Sequence, residues 1–102
     1  MLVNNYEKGT IISFKLVTGD EIVAKLLEET STDYVISKPM TVLPSQQGMA
    51  LIQSLYTGDL DSSISLSKQQ VIFQTKSVTE IKNYYIQTTT GIQPVNNTSI
   101  IT

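Results

Sequence analysis

Thr10-Ile11-Ile12-Ser13-Phe14-Lys15-Leu16-Val17-Thr18-Gly19-Asp20-Glu21-Ile22-Val23-Ala24-Lys25-Leu26-Leu27 is the stretch whose reading decides the fold. Ile12, Phe14 and Leu16 fall on one side and Ser13 and Lys15 on the other, the period of two that marks a half-buried strand. Thr18-Gly19-Asp20 turns the chain, with Gly19 supplying the positive φ that a tight turn requires. Glu21 to Leu27 alternates again, with Ile22, Ala24 and Leu26 on one side. The two runs predict a β-hairpin.

Working outward, Glu28-Glu29-Thr30-Ser31-Thr32-Asp33 is a polar break, and Glu28-Glu29 reads as a solvated strand end. Tyr34 to Lys38 resumes the β pattern until Pro39, which cannot donate to a ladder, so a bulge or bend is expected there before Met40 to Leu43. Pro44 to Gly48 reads as a loop, Met49 to Tyr56 as a fourth strand, and Thr57-Gly58-Asp59 as its end. Asp59-Leu60-Asp61 lacks the ligand spacing of a calcium loop and reads as an ordinary turn. Ile64 and Leu66 alternate with serines, and Val71 to Thr75 forms a further strand. Ser77-Val78-Thr79-Glu80 has the form of a capping box. Val78, Ile81, Tyr85 and Thr88 follow at helical spacing, Tyr84 broadens the stripe, and Gly91 and Pro94 supply a stop. One helix over about 77–90 is expected, in a single domain over 1–94 with a polar tail over 95–102.

Composition points the same way. Of 102 residues, 12 Ile, 8 Val and 13 Thr are β-branched, and such side chains fit a pleated surface better than a helix. Seven lysines with no arginine stand against nine carboxylates, giving a formal charge of -2. That balance is unlike a basic nucleic-acid coat or a charge-driven disordered tail. With no Cys and no His there are no disulfides, thiol nucleophiles, imidazole bases or imidazole metal ligands. Of the close carboxylates, Glu28 and Glu29 are neighbours that point to opposite faces of a strand and Asp59 and Asp61 sit in a turn, and no Ser-x-x-Lys occurs, so the reading is a non-enzyme without cofactor or metal. The first residues lack a basic segment followed by an apolar core, and no apolar run approaches the roughly 18 residues of a spanning helix. A soluble, cytoplasmic protein with no membrane partner is expected. Phe14 and Phe73 are read as core residues; Tyr34, opening its strand after a polar loop, is read either as a core or subunit contact or as a stacking ring.

Val17-Thr18-Gly19-Asp20-Glu21-Ile22-Val23-Ala24-Lys25-Leu26 keeps the spacing of the first Sm motif: an apolar strand residue, a Gly turn, two residues of any type, and then an apolar-x-Gly that ends with a strand. Over about residues 10–43 the chain therefore resembles the Sm or LSm family. The phrase Leu26 to Pro39 is also similar to small Sm-like proteins encoded by tailed phages, including cyanophages. The resemblance implies a mostly β fold: a strongly bent five-stranded antiparallel sheet, a small open barrel, here with one C-terminal helix. Ala24 stands where the family has its second Gly. The family's uridine-reading Asn falls on Tyr34, and its apolar-Arg-Gly turn between strands four and five falls on Leu66-Ser67-Lys68.

What the resemblance implies for function is a homo-oligomeric ring that binds single-stranded RNA and acts in RNA metabolism. Thr32, Asp33 and Tyr34 from one loop and Ser67, Lys68 and Gln69 from the other are then the RNA-binding candidates, with Tyr34 stacking on a base and Lys68 meeting phosphate. The alternative is a non-enzymatic structural or adaptor protein of phage origin, working in the host cytoplasm with the ring as a protein-interaction platform. Both readings expect a cyclic homo-oligomer of about five to seven subunits, a range that the family supplies. The sequence adds its own argument: Met49 to Tyr56 and Val71 to Thr75 contain no charged residue, so neither strand blunts its edge against another chain.

Overall fold

The computed structural model of the protein describes residues 6–90. Among these residues the chain forms six strands, a 3-10 turn and one α-helix: β1 (Ile11–Leu16), β2 (Glu21–Glu29), β3 (Asp33–Ser45), β4 (Gly48–Gln53), β5 (Ile64–Ser67), the turn Lys68–Gln70, β6 (Val71–Lys76) and α1 (Thr79–Thr89). The strands make one antiparallel sheet in the order β4-β3-β2-β1-β6, with β5 added to β3, and the sheet is not closed. The mostly β fold with a single helix at its C-terminal end is as expected. The Gly91 and Pro94 stop and the proposed tail lie outside the described residues.

The β1–β2 hairpin forms as its alternation and Gly19 predict. Gly19 has a φ of 96°, and the turn is closed by the Leu16 amide donating to Asp20 O at 2.8 Å and the Gly19 amide donating to Leu16 O at 2.9 Å. Strand β3 bends where Pro39 stands. Val23 pairs with Met40 and Lys25 with Ser37, so two residues of β2 span three steps of β3 and the extra residue falls at Lys38-Pro39. Lys38 takes the bulge's left-handed conformation, at a φ of 52°. The bend divides β3 by partner: Asp33 to Ile36 pairs with β5, whereas Met40 to Ser45 pairs with β4.

The expected loop over Pro44 to Gly48 is shorter than its turn residues suggest. β3 runs through Ser45, only Gln46-Gln47 turn, and Gly48 opens β4 with a φ of 122°. The Ser45 hydroxyl closes this hairpin on Gly48 O at 2.9 Å. The fourth strand in turn ends at Gln53, which leaves Leu55 and Tyr56 exposed in the connection to β5.

Strand alternation places apolar side chains on both faces of the bent sheet. Ile12, Phe14, Ile22, Ala24, Leu26 and Ile36 form the inner cluster. Ile11, Val23, Met40, Val42 and Leu51 form the outer one, covered by Tyr85 with Ile81 beside it. The expected helical stripe is therefore narrower in fact: Tyr85 is buried, whereas Val78 and Tyr84 are exposed. Ser77 is not the helix cap. Its amide donates to Ile11 O at 3.0 Å, and its hydroxyl lies 2.7 Å from that of Ser13, so the sheet holds Ser77 and the helix begins at Thr79 after Val78, without a side-chain cap.

Phe73 also departs from expectation. Phe14 is fully buried, but Phe73 is 69% exposed. The pairing of β1 with β6 slips between Lys15 and Leu16, setting Phe73 opposite Lys15 and Gln74 opposite Phe14. The inward position on β6 thus falls to Gln74.

Candidate loop site and free sheet edges

A short turn after β2 is built around one hydroxyl. The Thr30 amide donates to Asp33 O at 2.8 Å, and the Asp33 amide donates back to Thr30 Oγ1 at 2.9 Å. This starts β3 at Asp33 and pairs Tyr34 with Glu29. From the other side, β5 pairs Ser67 with Asp33 and Leu66 with Tyr34. The Lys68 amide donates to Thr32 O at 2.9 Å, and Ser67 Oγ caps the 3-10 turn by accepting from the Gln69 amide at 3.2 Å. Thr32, Asp33, Tyr34, Ser67, Lys68 and Gln69 therefore come together at one end of the sheet, although two of the segments lie over thirty positions apart.

The side chains there are engaged with one another. Lys68 Nζ donates to Glu29 Oε2 at 2.7 Å, both side chains being half-buried. The same ammonium lies 5.2 Å from the centre of the Tyr34 ring, within cation–π range. Tyr34 is half-buried, with its ring 5.1 Å from that of Phe14 and tilted by 55°. Burial raises the Tyr34 phenol above its ordinary value, the Glu29 carboxylate adds to the rise, and Lys68 opposes it. Glu29 is thus an ion-pair partner rather than the solvated strand end expected of it. The reason is a second slip in the β2–β3 register, between Leu26 and Glu28, which aligns Glu29 with Tyr34. Nothing local in Glu28-Glu29 signals this; only the pairing of Tyr34 with Leu66 brings Lys68 within reach.

The Asp59 region is the turn expected of it. Asp59 Oδ1 accepts from the Asp61 amide at 3.0 Å, and Oδ2 accepts from Ser62 Oγ at 2.8 Å. The Ser62 hydrogen bond, followed by that from the Asp61 amide, holds the Asp59 carboxyl below its ordinary range. Among the described residues there is no group of three or more Asp or Glu side chains placed to hold a metal ion. No helix among them is long and apolar enough to cross a membrane.

The second surface of note is the pair of sheet edges. Among the described residues β4 pairs only with β3 and β6 only with β1, at the two ends of the main strand order, and β5 likewise pairs only with β3, so each leaves one side without a strand partner. Strand β4 carries no charged residue and β6 carries only Lys76 at its end. Met49 on β4 is 53% exposed, and Ile72 joins Phe73 as an exposed apolar residue on β6. A protein that stays apart from its own copies ordinarily blunts such edges with charge, proline or covering structure. Neither a family model nor a curated protein matches this chain.

Proposed function

We propose that this chain is an Sm-like subunit that assembles head-to-tail into a closed homo-oligomeric ring and works without catalysis, as a scaffold or adaptor. The observation that carries the reading is the pair of partner-free edges on β4 and β6 of the same open sheet, uncharged on β4 and charged only at the terminal Lys76 on β6. Two different edges of one subunit make a heterologous contact, which closes into a ring when the rotation per subunit divides a full turn. The Gly19 hairpin, the long third strand bent at Lys38-Pro39 and the separated pair β5 and β6 support the Sm-like assignment. Light scattering on the purified protein tests it. The expected mass corresponds to about five to seven copies, and a stable species at the 11.3 kDa of one chain overturns the reading. Met49→Glu or Phe73→Glu, each placing a charge on one edge, is expected to lower the assembled mass.

Single-stranded RNA binding is a second reading, favoured by the convergence of the six loop residues at one end of the sheet. Phosphate would have to compete with Glu29 for the Lys68 ammonium, and a base would have to displace Lys68 from the Tyr34 ring. Anisotropy titrations with oligo-U and oligo-A at low and moderate salt test this. Tyr34→Ala and Lys68→Ala are each expected to weaken binding, and unchanged affinity in both variants removes these residues from the site.

A further inference from the structure

Every Lys, Asp and Glu of the chain lies within residues 6–90, so the distribution of side-chain charge can be read in full. It is lopsided. A groove of about 450 Å³ beside the start of α1 is lined by Lys8, Lys76 and Lys82, with Glu7 as its one carboxylate. A neighbouring groove of about 280 Å³ along the same helix is lined by Lys25, Lys38 and Lys82, with no carboxylate. The two share Gly9, Ile11 and Lys82 and so lie side by side, and beyond Lys38 and Thr89 the second adjoins a further groove that carries Asp59 and Asp61. Five of the seven lysines line the first two grooves; Lys15 and Lys68 remain for the rest of the surface, together with eight of the nine carboxylates. Lys38 alone of the five has an acidic partner in the structure, Asp61 at 3.8 Å, whose side chain is mostly exposed.

We infer that this helix-side face of an otherwise acidic protein binds the phosphodiester backbone of single-stranded nucleic acid without reading its sequence. Charge is the first reason: several kT of local positive potential in a concave surface gathers a polyanion even when the net charge is negative. Shape is the second, because two adjoining grooves suit an extended chain of charges better than one compact anion. The donor set is the third. Lysine ammonium groups, the Thr79 hydroxyl and the first amides of α1, which have no side-chain cap, are the kinds of donor that phosphate oxygens accept from. The one aromatic residue of the lining, Tyr85, is buried, so no ring is free to stack on a base. None of the six loop residues lines either groove, and the inference requires neither the loop site nor the ring.

The test is an anisotropy titration of the full chain with a fluorescein-labelled single-stranded DNA of mixed sequence, from about 50 to about 200 mM salt. Binding should weaken as salt rises. Lys82→Gln should weaken it several-fold and flatten the log–log salt slope by about 0.7, the value for one lost phosphate contact on a single strand. Lys76→Gln should act in the same direction, and Lys15→Gln, away from the grooves, should change neither quantity. The inference is overturned by absence of binding at the lowest salt, or by equal losses from Lys15→Gln and Lys82→Gln. It is likewise overturned if Lys68→Ala alone abolishes binding, which assigns the ligand to the loop site. Poly-glutamate competing as well as the oligonucleotide at equal charge overturns it in favour of an acidic peptide partner.

Discussion

The inner and outer apolar clusters of this sheet are of similar size but are closed by different means. The inner cluster is enclosed by bending: Ile12, Phe14, Ile22, Ala24, Leu26 and Ile36 come from three strands, and Ile64, Leu66 and Val71 seal its border. The outer cluster, under α1, is closed chiefly by Tyr85, the one buried side chain of that helix. Tyr85 also carries the polar connection, donating its hydroxyl to Lys38 O at 2.7 Å and facing Ser37 O at 3.1 Å. Those carbonyls belong to the bulge that interrupts β3, where ladder pairing with β2 breaks. The helix therefore caps the weak point of the sheet. A face closed by many strands tolerates loss of one contact differently from a face closed by one side chain.

Truncation at the two centres gives the largest expected effects. Phe14→Ala removes the middle of the inner cluster and should cost about 3 to 5 kcal/mol, lowering the stability of sheet and helix together. Tyr85→Ala should release the helix first, so that α1 amides exchange with solvent well before those of β1 and β2. Hydrogen exchange with denaturant unfolding separates the two patterns, and simultaneous release of helix and sheet in Tyr85→Ala would break the contrast.

A smaller effect comes from the hydroxyl alone. Tyr85→Phe keeps the packing but leaves the bulge carbonyls without their donor, at a cost of about 1 to 3 kcal/mol. Burial raises the Tyr85 phenol well above its ordinary value. The folded state then keeps its proton where the unfolded chain loses it, so stability is fully present below the unfolded value near pH 10 and falls as pH rises beyond it. Unfolding free energies across that range should decline more steeply for the wild type than for Tyr85→Phe. Identical slopes would mean that the phenol is not the titrating group.

The smallest expected effect tests how the helix begins. Replacing a true N-cap serine by alanine costs about 1 kcal/mol and frays the first turn. Ser77 instead shares a hydrogen bond with Ser13, so Ser77→Ala and Ser13→Ala should destabilise by similar amounts, about 0.5 to 1 kcal/mol. Helix content by circular dichroism should be unchanged in both; a loss confined to Ser77→Ala would restore the capping role that the sequence pattern suggests.

Much of the architecture was legible because it follows from short-range properties of the chain. Period-two alternation over Thr10 to Leu27 with a Gly-containing turn admits one local solution, the hairpin that forms. Pro39 announced a break in pairing because it has no amide hydrogen, and the break is there. The two candidate loop segments meet through the pairing of β5 with β3, a long-range contact that no local pattern in either segment signals. What those residues do to each other was not legible: the Glu29–Lys68 pair joins residues 39 positions apart and depends on a one-residue slip in register.

Alternation, turn residues and uncharged strands by themselves determined that this protein is a mostly β domain with one helix and exposed edges. Tertiary structure decided which side of each strand is buried, because one bulge reverses the facing of every residue beyond it, and Phe73 and Gln74 exchanged roles on that account. It also decided that Ser77 serves the sheet, that Tyr85 closes the outer face, and that five scattered lysines line two adjoining grooves. Backbone preference acts over a few residues, whereas register, coverage of a face and the summing of charge depend on segments that meet only when the chain is folded.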